Sequence, residues 1–435
     1  MLKDKRILLI GSLPYSNSNA SRAFSTYFDN LSHYEMRQIF SSNKVPTKGH
    51  CSSFYRITDI DMVKSWLLFK KAKGNIYYSN KIEVYDLSSK KSSKKRFINY
   101  IYKIGSRKSS IVYILRALLW SFNKWKSSNL NEWINEFKPN LIFLAFSDDL
   151  YLLNIAYEYS KEYNAPIITS IGDDYYFRKY SRLSIFMRYY THIYQKKVDK
   201  FFSLVRSVIY IDDKIKNKYQ SHFHTHGVTV RLTSSFKPRK FMKIDLCNPK
   251  ITYIGNIRLG RNASLVMIAK ELEKINSKYK IDLYTNETDN FYLKPLRKCQ
   301  NIDIHGSIAY EKVESILHNS DISLILESFE KKDVNFSRFS LSTKIADSLA
   351  AGVNLYAVGS IDCGAIEYLY KNKCAEVCTN PLEIANTLNE FLLDENKQYQ
   401  YYINAIRTLN LNHNVEINKH IVPYLINEIL GEENE

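Results

Sequence analysis

Between residues 250 and 395 the chain alternates short apolar runs with longer amphipathic segments, and this alternation constrains the fold most. Runs of four or five residues predict buried strands at 251–254, 280–284, 301–305, 322–326, 354–358 and 375–378. Segments with apolar residues at helical spacing predict helices at 263–275, near 293, and at 310–318, 342–351, 361–370 and 381–393. Strand–helix units in such succession are typical of a doubly wound parallel sheet.

The first half of the chain shows the same alternation less regularly. Strands are predicted at 6–10, 140–146, 166–170 and 201–205, and helices at 20–31 and 149–163. The chain is also longer than one ordinary hydrophobic core serves, which favours two domains. We therefore predict an α/β protein with two Rossmann-like domains.

Composition shifts place the domain boundaries. An N-terminal domain is expected at 1–232, a linker containing Ser and Pro at 233–249, and a C-terminal domain at 250–397. Residues 398–435 are helical by composition, and a return of this tail to the N-terminal domain is left open.

A formal net charge of +18 attracts phosphorylated substrates, anionic lipid or nucleic acid, and by itself it does not distinguish among these partners. No nucleic-acid-binding module is recognisable, so nucleic acid is not expected as a partner. A basic run at 90–96 precedes an apolar and basic segment at 111–126. The segment fits a membrane surface with Tyr113, Trp120 and Trp125 at the interface, or a core-packed helix with Arg116 and Lys124 facing water. We favour core packing for the helix and the membrane for the basic run.

Membrane-spanning and secretory signals are not expected. No stretch reaches the roughly 18 to 20 uncharged apolar residues that cross a bilayer, and the apolar run at 7–10 is too short for a signal peptide. The six cysteines are scattered without a Cys-x-x-Cys pair, which favours reduced thiols and a cytoplasmic location. Peripheral attachment to the inner face of the membrane is left open. Cys374 and Cys378 lie near each other, but no further metal ligands flank them.

In doubly wound sheets ligands bind at the carboxyl ends of the strands, and with two such domains the site is expected in the cleft between them. The strand at 251–254 is followed by Gly255, Arg258 and Arg261. Glycine permits close backbone approach, guanidinium groups fork onto phosphate oxygens, and a helix N-terminus follows. Many loops contain Gly and Arg, so the position after the first strand is what makes this loop a candidate.

A second candidate loop follows the strand at 322–326. Glu327 ends that strand, and Ser342, Thr343 and Lys344 open the next helix after a polar loop. Hydroxyls, backbone N–H groups and an ammonium could converge there on one anion. A lone Ser-Thr-Lys would indicate only a helix cap beside a solvated lysine. Here it follows a strand-end carboxylate and precedes Asp347 by one turn.

These patterns together resemble the donor half of GT-B glycosyltransferases, in particular glycosyltransferase family 4 of the surface-polysaccharide type. The resemblance covers residues 251–391 and rests on Tyr-Ile-Gly-Asn at 253–256, His-Gly at 305–306, Ser-Asp at 320–321, Glu-Ser-Phe at 327–329, Ser-Thr-Lys-Ile at 342–345 and Leu-Ala-Ala-Gly at 349–352. It implies a GT-B architecture, two Rossmann-like doubly wound domains facing an interdomain cleft. It also implies a nucleotide-sugar donor and retention of anomeric configuration.

The resemblance further implies roles for individual residues. A carboxylate in the position of Glu327 reaches the donor sugar, and Asp347, in place of the family's usual Glu, contacts the nucleotide ribose. Asn256 stands where the family usually has Arg, and Arg261 lies near the usual position of a second cation. Arg258 or Lys344 would then supply the missing cation, and we favour Lys344.

Candidates in the first half are fewer. They are Gly11, Ser12 and Asn19 in the loop after the first strand, and Asp173 and Asp174 after the strand at 166–170. The two aspartates are predicted to contact acceptor hydroxyls or the donor sugar, with capping of the next helix as the equal alternative.

No metal or other cofactor is expected, because cations and helix N–H groups can stabilise a departing diphosphate. Asp59 and Asp61 form an Asp-x-Asp far along the chain from the donor loops. His222, His224 and His226 alternate without a nearby carboxylate or cysteine, and we expect surface or loop histidines there.

The sequence thus predicts a glycosyltransferase of the hexosyltransferase type that uses a nucleoside-diphosphate sugar as donor. The expected acceptor is a lipid-linked glycan in surface polysaccharide synthesis. The expected partners are the nucleotide sugar, that acceptor and an anionic membrane surface. Two alternatives stay open. One is a catalytically silent GT-B subunit or glycan-binding protein, which the residues at Asn256 and Asp347 allow. The other is a nucleotide-sugar epimerase, which would need further acid–base residues around the sugar.

Overall fold

The computed structural model describes residues 5–16, 22–31, 33–47, 50–81, 110–180 and 185–431. The chain divides into two compact units, Met1–Val230 with Lys419–Glu435, and Arg231–Asn418. Each unit contains one mainly parallel sheet with helices, so the predicted α/β class with two Rossmann-like domains is confirmed.

The sheet of the first unit has eight strands in the order β4-β3-β2-β1-β5-β6-β7-β8. Neighbouring strands are parallel except β3 and β4, which are antiparallel. The strands are β1 (Arg6–Gly11), β2 (Glu35–Phe40), β3 (Ser53–Arg56), β4 (Asn75–Tyr78), β5 (Leu141–Ala145), β6 (Ile167–Ile171), β7 (Val205–Tyr210) and β8 (Gly227–Thr229). Both central strands, β1 and β5, are continuous apolar runs, as expected for strands covered on both faces.

Helices cover this first sheet. They are α1 (Arg22–Phe28), α2 (Asp59–Leu67), α3 (Ser110–Trp120), α4 (Ser128–Phe137), α5 (Leu150–Tyr163), α6 (Ile185–Phe202) and α7 (Asp213–Phe223). Local signals explain several boundaries. Thr58 and Asp61 form a capping box that begins α2, and the Asp212 side chain accepts the Lys214 N–H to begin α7.

The strand predicted at 201–205 is wrong. Phe201 and Phe202 end helix α6, and β7 begins only at Val205. Both phenylalanines are buried, and Phe202 stacks on Phe223 of α7 with ring centroids 3.7 Å apart. A short apolar run does not by itself distinguish the buried end of a helix from a strand.

The sheet of the second unit has six parallel strands in the order β11-β10-β9-β12-β13-β14. Counted within the unit this is 3-2-1-4-5-6, the doubly wound order. The strands are β9 (Lys250–Ile254), β10 (Lys280–Tyr284), β11 (Ile302–Gly306), β12 (Ile322–Leu326), β13 (Asn354–Val358) and β14 (Glu376–Cys378). Each corresponds to a strand predicted from the sequence, with boundaries shifted by at most one residue.

The remaining helices lie in the second half of the chain. They are α8 (Arg261–Ile275), α9 (Asn290–Leu296), α10 (Val313–His318), α11 (Lys331–Ser337), α12 (Thr343–Ala351), α13 (Gly364–Asn372), α14 (Ile384–Leu393), α15 (Glu395–Asn412) and α16 (Val415–Leu430). From Lys419 onward α16 belongs to the first unit, where Val422, Leu425 and Ile426 are buried in the core with Phe28.

Residues 233–249, expected as a linker, have no helix or strand and belong to the second unit. The Arg239 N–H donates to the carbonyl of Ala351, and the hydroxyl of Tyr402 donates to the carbonyl of Arg239 at 2.9 Å. The hydroxyl of Ser234 donates to Asp347 of α12. These contacts attach the segment to the face formed by α12 and α15.

The membrane-interface interpretation of Tyr113, Trp120 and Trp125 is wrong, because all three are buried. Arg116, expected to face water, instead pairs with Asp59 and Asp149 at 2.8 and 2.7 Å. The basic run at 90–96 lies outside the described residues. Among the helices that the structure describes, none is both long and apolar enough to span a membrane.

Candidate active site

The carboxyl ends of β9, β12 and β13 are neighbours in the second sheet, and they position the candidate site. Gly255 follows β9 with a φ of 137°, a conformation that favours glycine. A Cβ atom at this position would lie 3.1 to 3.3 Å from the side chain of Lys344. Gly255 therefore lets the lysine of helix α12 lie directly against the β9 turn.

Arg261 and Glu327 form a buried ion pair at the same edge. Arg261 begins α8, and its Nη2 donates to both carboxylate oxygens of Glu327 at 2.8 and 2.9 Å. Its Nε donates to the carbonyl of Leu326 at 3.1 Å. The side chain of Glu327 is only 3% exposed and that of Arg261 14%. Within the described part of the chain Arg261 Nη1 makes no hydrogen bond, so it remains available to an anionic ligand.

Gly359 is a site residue that the sequence analysis missed. It follows β13 with a φ of 154°, and an added Cβ would meet Cβ of Glu327 at 2.8 Å and its backbone at 3.0 Å. Glycine here allows the ends of β12 and β13 to approach closely beside the buried carboxylate. The strand-end Gly-Ser at 359–360 was the available signal, since glycines at such ends permit close backbone approach.

Lys344 lies over the ring of Tyr253, with Nζ 4.1 Å from the ring centroid. Its Nζ donates to the Tyr253 hydroxyl at 2.8 Å, and that hydroxyl donates to the carbonyl of Asn256 at 2.6 Å. Burial and the nearby charge of Arg261 lower the pKa of Lys344 to about 7, although Glu327 opposes the shift. Tyr253 belongs to the Tyr-Ile-Gly-Asn motif noted in the sequence, but it was given no role there because it occupies an ordinary strand position.

Helix α12 presents its N-terminus at this cluster. Ser342 is the N-cap residue, but its side chain makes no capping hydrogen bond, and Thr343 is exposed. The first backbone N–H groups of a helix have no intrahelical acceptor and favour anions. The Ser-Thr-Lys stretch thus places hydroxyls, backbone donors and an ammonium on one helix end.

Arg258 has a different environment from Lys344. Its Nη2 donates to Glu287 at 3.1 Å, and its guanidinium lies 5.1 Å from the centroid of the Tyr292 ring. The hydrogen bond from Arg258 lowers the pKa of Glu287 to about 2. Asn256 accepts the backbone N–H of Arg258 at 2.7 Å and so shapes this turn. The structure places Lys344, and not Arg258, against Gly255.

Asp347 lies one turn into α12 and is buried. Its Oδ1 accepts hydrogen bonds from the hydroxyls of Ser234 and Tyr310, each at 2.8 Å. Tyr310 in turn stacks on Phe236, with ring centroids 5.4 Å apart. Asp347 therefore holds residues 234 and 310 against the helix that contains Lys344.

The described first-unit candidates follow β1 and β6, the two strands on either side of β5. Gly11 ends β1, and the carbonyl of Ser12 accepts the N–H of Ser42 at 2.9 Å, whereas Asn19 lies outside the described residues. Asp174 is buried and accepts hydrogen bonds from the Phe177 N–H at 2.8 Å and the Tyr219 hydroxyl at 2.9 Å. Asp174 is thus engaged in fixing its own turn, while Asp173 beside it is partly exposed.

Other predicted patterns have structural roles. Asp59 accepts hydrogen bonds from Arg116 and Trp120, and Asp61 belongs to the α2 capping box. His222 hydrogen-bonds to the hydroxyl of Tyr176 at 3.0 Å, and His224 ends α7. Among the described residues, no three His, Cys, Asp or Glu side chains are grouped as metal ligands would be.

The edge of the sheet formed by β9, β12 and β13 brings together the basic side chains of Arg261 and Lys344, the buried carboxylate of Glu327 and the N-terminus of α12. The carboxylate of Glu327 neutralises Arg261, so the excess positive charge is that of Lys344 in its protonated form, beside uncommitted donors. Such a combination suits an anion with several oxygens, as in a diphosphate. Because the donors are fixed by buried contacts, they need little rearrangement when charge develops on the ligand.

Comparison with solved structures identifies the fold, although no protein-family model and no curated relative matches the sequence. Sucrose-phosphate synthase from Thermosynechococcus elongatus matches with a TM-score of 0.62 at 9% identity, over 98% of this chain and 99% of that one. HepE from Anabaena, in complex with UDP-glucose, matches with a TM-score of 0.61 at 9% identity, over 97% and 99%. WaaG, a glycosyltransferase involved in lipopolysaccharide biosynthesis, matches with a TM-score of 0.56 at 10% identity, over 96% and 98%. The chain therefore has the GT-B fold along nearly its whole length.

Proposed function

We propose that this chain is a glycosyltransferase that transfers a sugar from a nucleoside-diphosphate donor. The observation that supports this most is the cluster of Lys344, Arg261 and Glu327 at adjoining strand ends, beside the open N-terminus of α12. Solved structures of the same fold include HepE with UDP and with UDP-glucose, which supports a nucleotide-sugar donor.

In the proposed reaction the bond between the anomeric carbon and the diphosphate oxygen breaks, and its electron pair goes to the diphosphate. The acceptor hydroxyl oxygen bonds to the anomeric carbon and gives its proton to the departing diphosphate. Lys344, Arg261 Nη1 and the α12 N–H groups stabilise the charge that develops on the leaving group. Glu327 holds Arg261 in position through the paired hydrogen bonds. No metal is assigned a role, and the sugar is transferred with retention of configuration.

The acceptor we propose is a lipid-linked glycan in surface polysaccharide synthesis, reached at the cytoplasmic face of an anionic membrane. The structural likeness to WaaG, a protein of lipopolysaccharide biosynthesis, supports this acceptor class. The formal net charge of +18 favours binding of the protein to a negatively charged surface, where the acceptor would be reached.

Nucleotide binding tests the donor half of the proposal. Thermal unfolding and calorimetry with UDP, GDP, CDP and ADP should show selective stabilisation by one base. Lys344→Met should weaken that binding by about tenfold or more, since it removes one charge-assisted contact. Lys298→Met, at an exposed lysine in the turn before β11, is the matched control and should bind as the parent protein does. Indifference to all four nucleotides would refute the proposal.

A second candidate function is a catalytically silent subunit that binds a nucleotide sugar or glycan. It is favoured by one observation: the carboxylates of Glu327 and Asp347 are both engaged by protein hydrogen bonds. Incubation with a nucleotide sugar separates the two functions. Release of nucleoside diphosphate that depends on acceptor supports transfer, whereas binding without any release supports the silent subunit.

A further inference from the structure

Helix α3 of the first unit has an unusual distribution of polar and apolar side chains. Its one charged side chain, Arg116, turns inward to the ion pairs with Asp59 and Asp149. The outward positions are apolar: Ile111, Leu115, Leu118 and, just beyond the helix end, Phe122 are each more than half exposed. Their spacing of four, three and four residues places them on one stripe of the helix. A surface helix ordinarily shows the opposite pattern, with its polar face to water.

The end of helix α2 is also apolar and exposed. Leu67, Leu68 and Phe69 are 73%, 65% and 89% exposed. Phe69 has a φ of 52°, in the left-handed region that bulky residues seldom adopt. This left-handed residue ends α2, where the Lys70 N–H donates to the carbonyl of Ser65 at 3.0 Å, and the ring of Phe69 faces solvent.

These two elements form one continuous surface. The Trp66 Nε1 donates to the carbonyl of Leu119 at 2.9 Å, and the rings of Trp66 and Phe122 lie 5.2 Å apart. The Ala72 N–H donates to the carbonyl of Lys124 at 2.7 Å. The end of α2 is therefore fixed beside the end of α3. We call this surface, Leu67–Phe69 with Leu115, Leu118 and Phe122, the apolar face.

The charges around the apolar face are positive. Residues 62–81 contain five lysines and no Asp or Glu, and all five lysines are exposed. Lys124 also lies at the face, with Nζ 4.4 Å from the centroid of the Trp66 ring. Among the described acids of α2 and its neighbours, Asp59 and Asp149 pair with Arg116, and Asp61 belongs to the α2 capping box. An apolar surface bordered by lysines matches the chemistry of a bilayer interface with anionic headgroups.

We propose that the apolar face is a docking surface for an anionic lipid bilayer, an inference that rests on the proposed function at such a membrane. Leu67, Leu68 and Phe69 enter the boundary between headgroups and acyl chains, and the exposed lysines contact lipid phosphates. A second copy of the chain is disfavoured as occupant, since pairing of the face with itself brings its bordering lysines together. The proposal differs from the sequence-based one, in which buried Tyr113, Trp120 and Trp125 were the interfacial residues.

Vesicle flotation tests the proposal with the full chain. Vesicles of phosphatidylcholine with phosphatidylglycerol should carry the protein, pure phosphatidylcholine vesicles should carry little, and higher salt should reduce binding. The double variant Leu68→Ser with Phe69→Ser should reduce the bound fraction by about tenfold. Its control is Phe291→Ser with Leu382→Ser, two apolar positions of the second unit that are 77% and 88% exposed, which should float as the parent does.

Charge is tested separately with Lys64→Glu and Lys70→Glu together, against Lys278→Glu and Lys298→Glu at exposed positions of the second unit. Loss of flotation in the first pair alone supports the assignment. Unchanged flotation in that pair or in the Leu68 and Phe69 variant overturns it, as does failure of the parent protein to float. The proposal is also overturned if the parent protein does not float but sediments as a dimer, and the Leu68 and Phe69 variant sediments as a monomer. That result would assign the apolar face to a second copy of the chain. Nucleotide affinity, measured in parallel, distinguishes failure of this proposal from failure of the proposed function.

Discussion

Lys344 is the residue whose charge state is most sensitive to its surroundings in the candidate site. Burial and the charge of Arg261 lower its pKa to about 7, so it is only partly protonated near neutral pH. A bound diphosphate brings negative charge beside the ammonium and raises that pKa again. Binding of the nucleotide is therefore accompanied by uptake of a proton, so the affinity for the nucleotide should fall as the pH rises.

We expect nucleoside-diphosphate affinity to weaken as pH rises from 7 to 9, by at most about tenfold per pH unit for one linked proton. The terminal phosphate is already ionised across this range, so its own titration contributes little. Calorimetry at pH 7.5 in two buffers of different ionisation enthalpy measures the proton uptake. In Lys344→Met both the uptake and the pH dependence should disappear. Persistence of either in the variant would show that another group titrates.

Glu327 illustrates how one carboxylate acts on two cations. It holds Arg261 by direct hydrogen bonds, and its charge also raises the pKa of Lys344 against the effect of burial. The family resemblance implies contact of this carboxylate with the donor sugar. In the structure its two oxygens accept from Arg261, which favours positioning of the guanidinium as its first role.

At the scale of elements, the central strands of the second sheet could be predicted because they are buried on both faces. Ile322–Leu326 and Asn354–Val358 are buried along their whole length, and each contains only one polar residue. Strand β2 of the first sheet, Glu35–Phe40, begins with alternating polar and apolar residues and was not predicted. The short strands β3, β4 and β8 have only three or four residues, too few for a periodic signal.

The site itself was only partly predictable. The sequence indicated Gly255, Arg261, Glu327 and Lys344 because they follow strand ends or begin helices. It did not indicate which of them pair, because Arg261 and Glu327 are 66 residues apart and meet only through the order of strands. The partners of Asp347 are likewise distant in sequence, in the segment before β9 and in the turn before α10.

The close approach of β12 and β13 depends on Gly359. We expect Gly359→Ala to destabilise the second unit by about 2–3 kcal/mol, since the substitution adds a clash with Glu327 to a backbone conformation that alanine resists. Gly306→Ala is the matched control: its φ is 79°, but an added Cβ meets nothing within 4 Å. It should cost only about 1 kcal/mol, from the conformation alone. Urea unfolding measures both, and equal losses would contradict the proposed clash.

At the scale of the whole molecule, the chain contributes to its first unit twice. After the second unit is complete, residues from Lys419 onward return to the first, and α16 buries Val422, Leu425 and Ile426 in its core. The tail is therefore part of the first fold although it is last in sequence. The hydroxyl of Tyr34 donates to the side-chain oxygen of Asn427, 393 residues later in the chain. Substitutions in this part of α16 should therefore affect strands near the start of the chain.

Leu425→Ala tests this arrangement. Removing a buried leucine side chain leaves a cavity and costs about 2–5 kcal/mol. Because the lost contacts belong to the first unit, hydrogen exchange should accelerate in Arg6–Gly11 and Glu35–Phe40, while Ile322–Leu326 and Asn354–Val358 keep their protection. Nucleotide affinity should stay within about twofold of the parent value, since Lys344 and Arg261 lie in the other unit. Leu411→Ala, at an exposed position of α15, controls for loss of a leucine without loss of packing. If exchange instead accelerated equally in both sheets, the two units would unfold as one cooperative body, and the tail would stabilise the whole chain rather than its first unit alone.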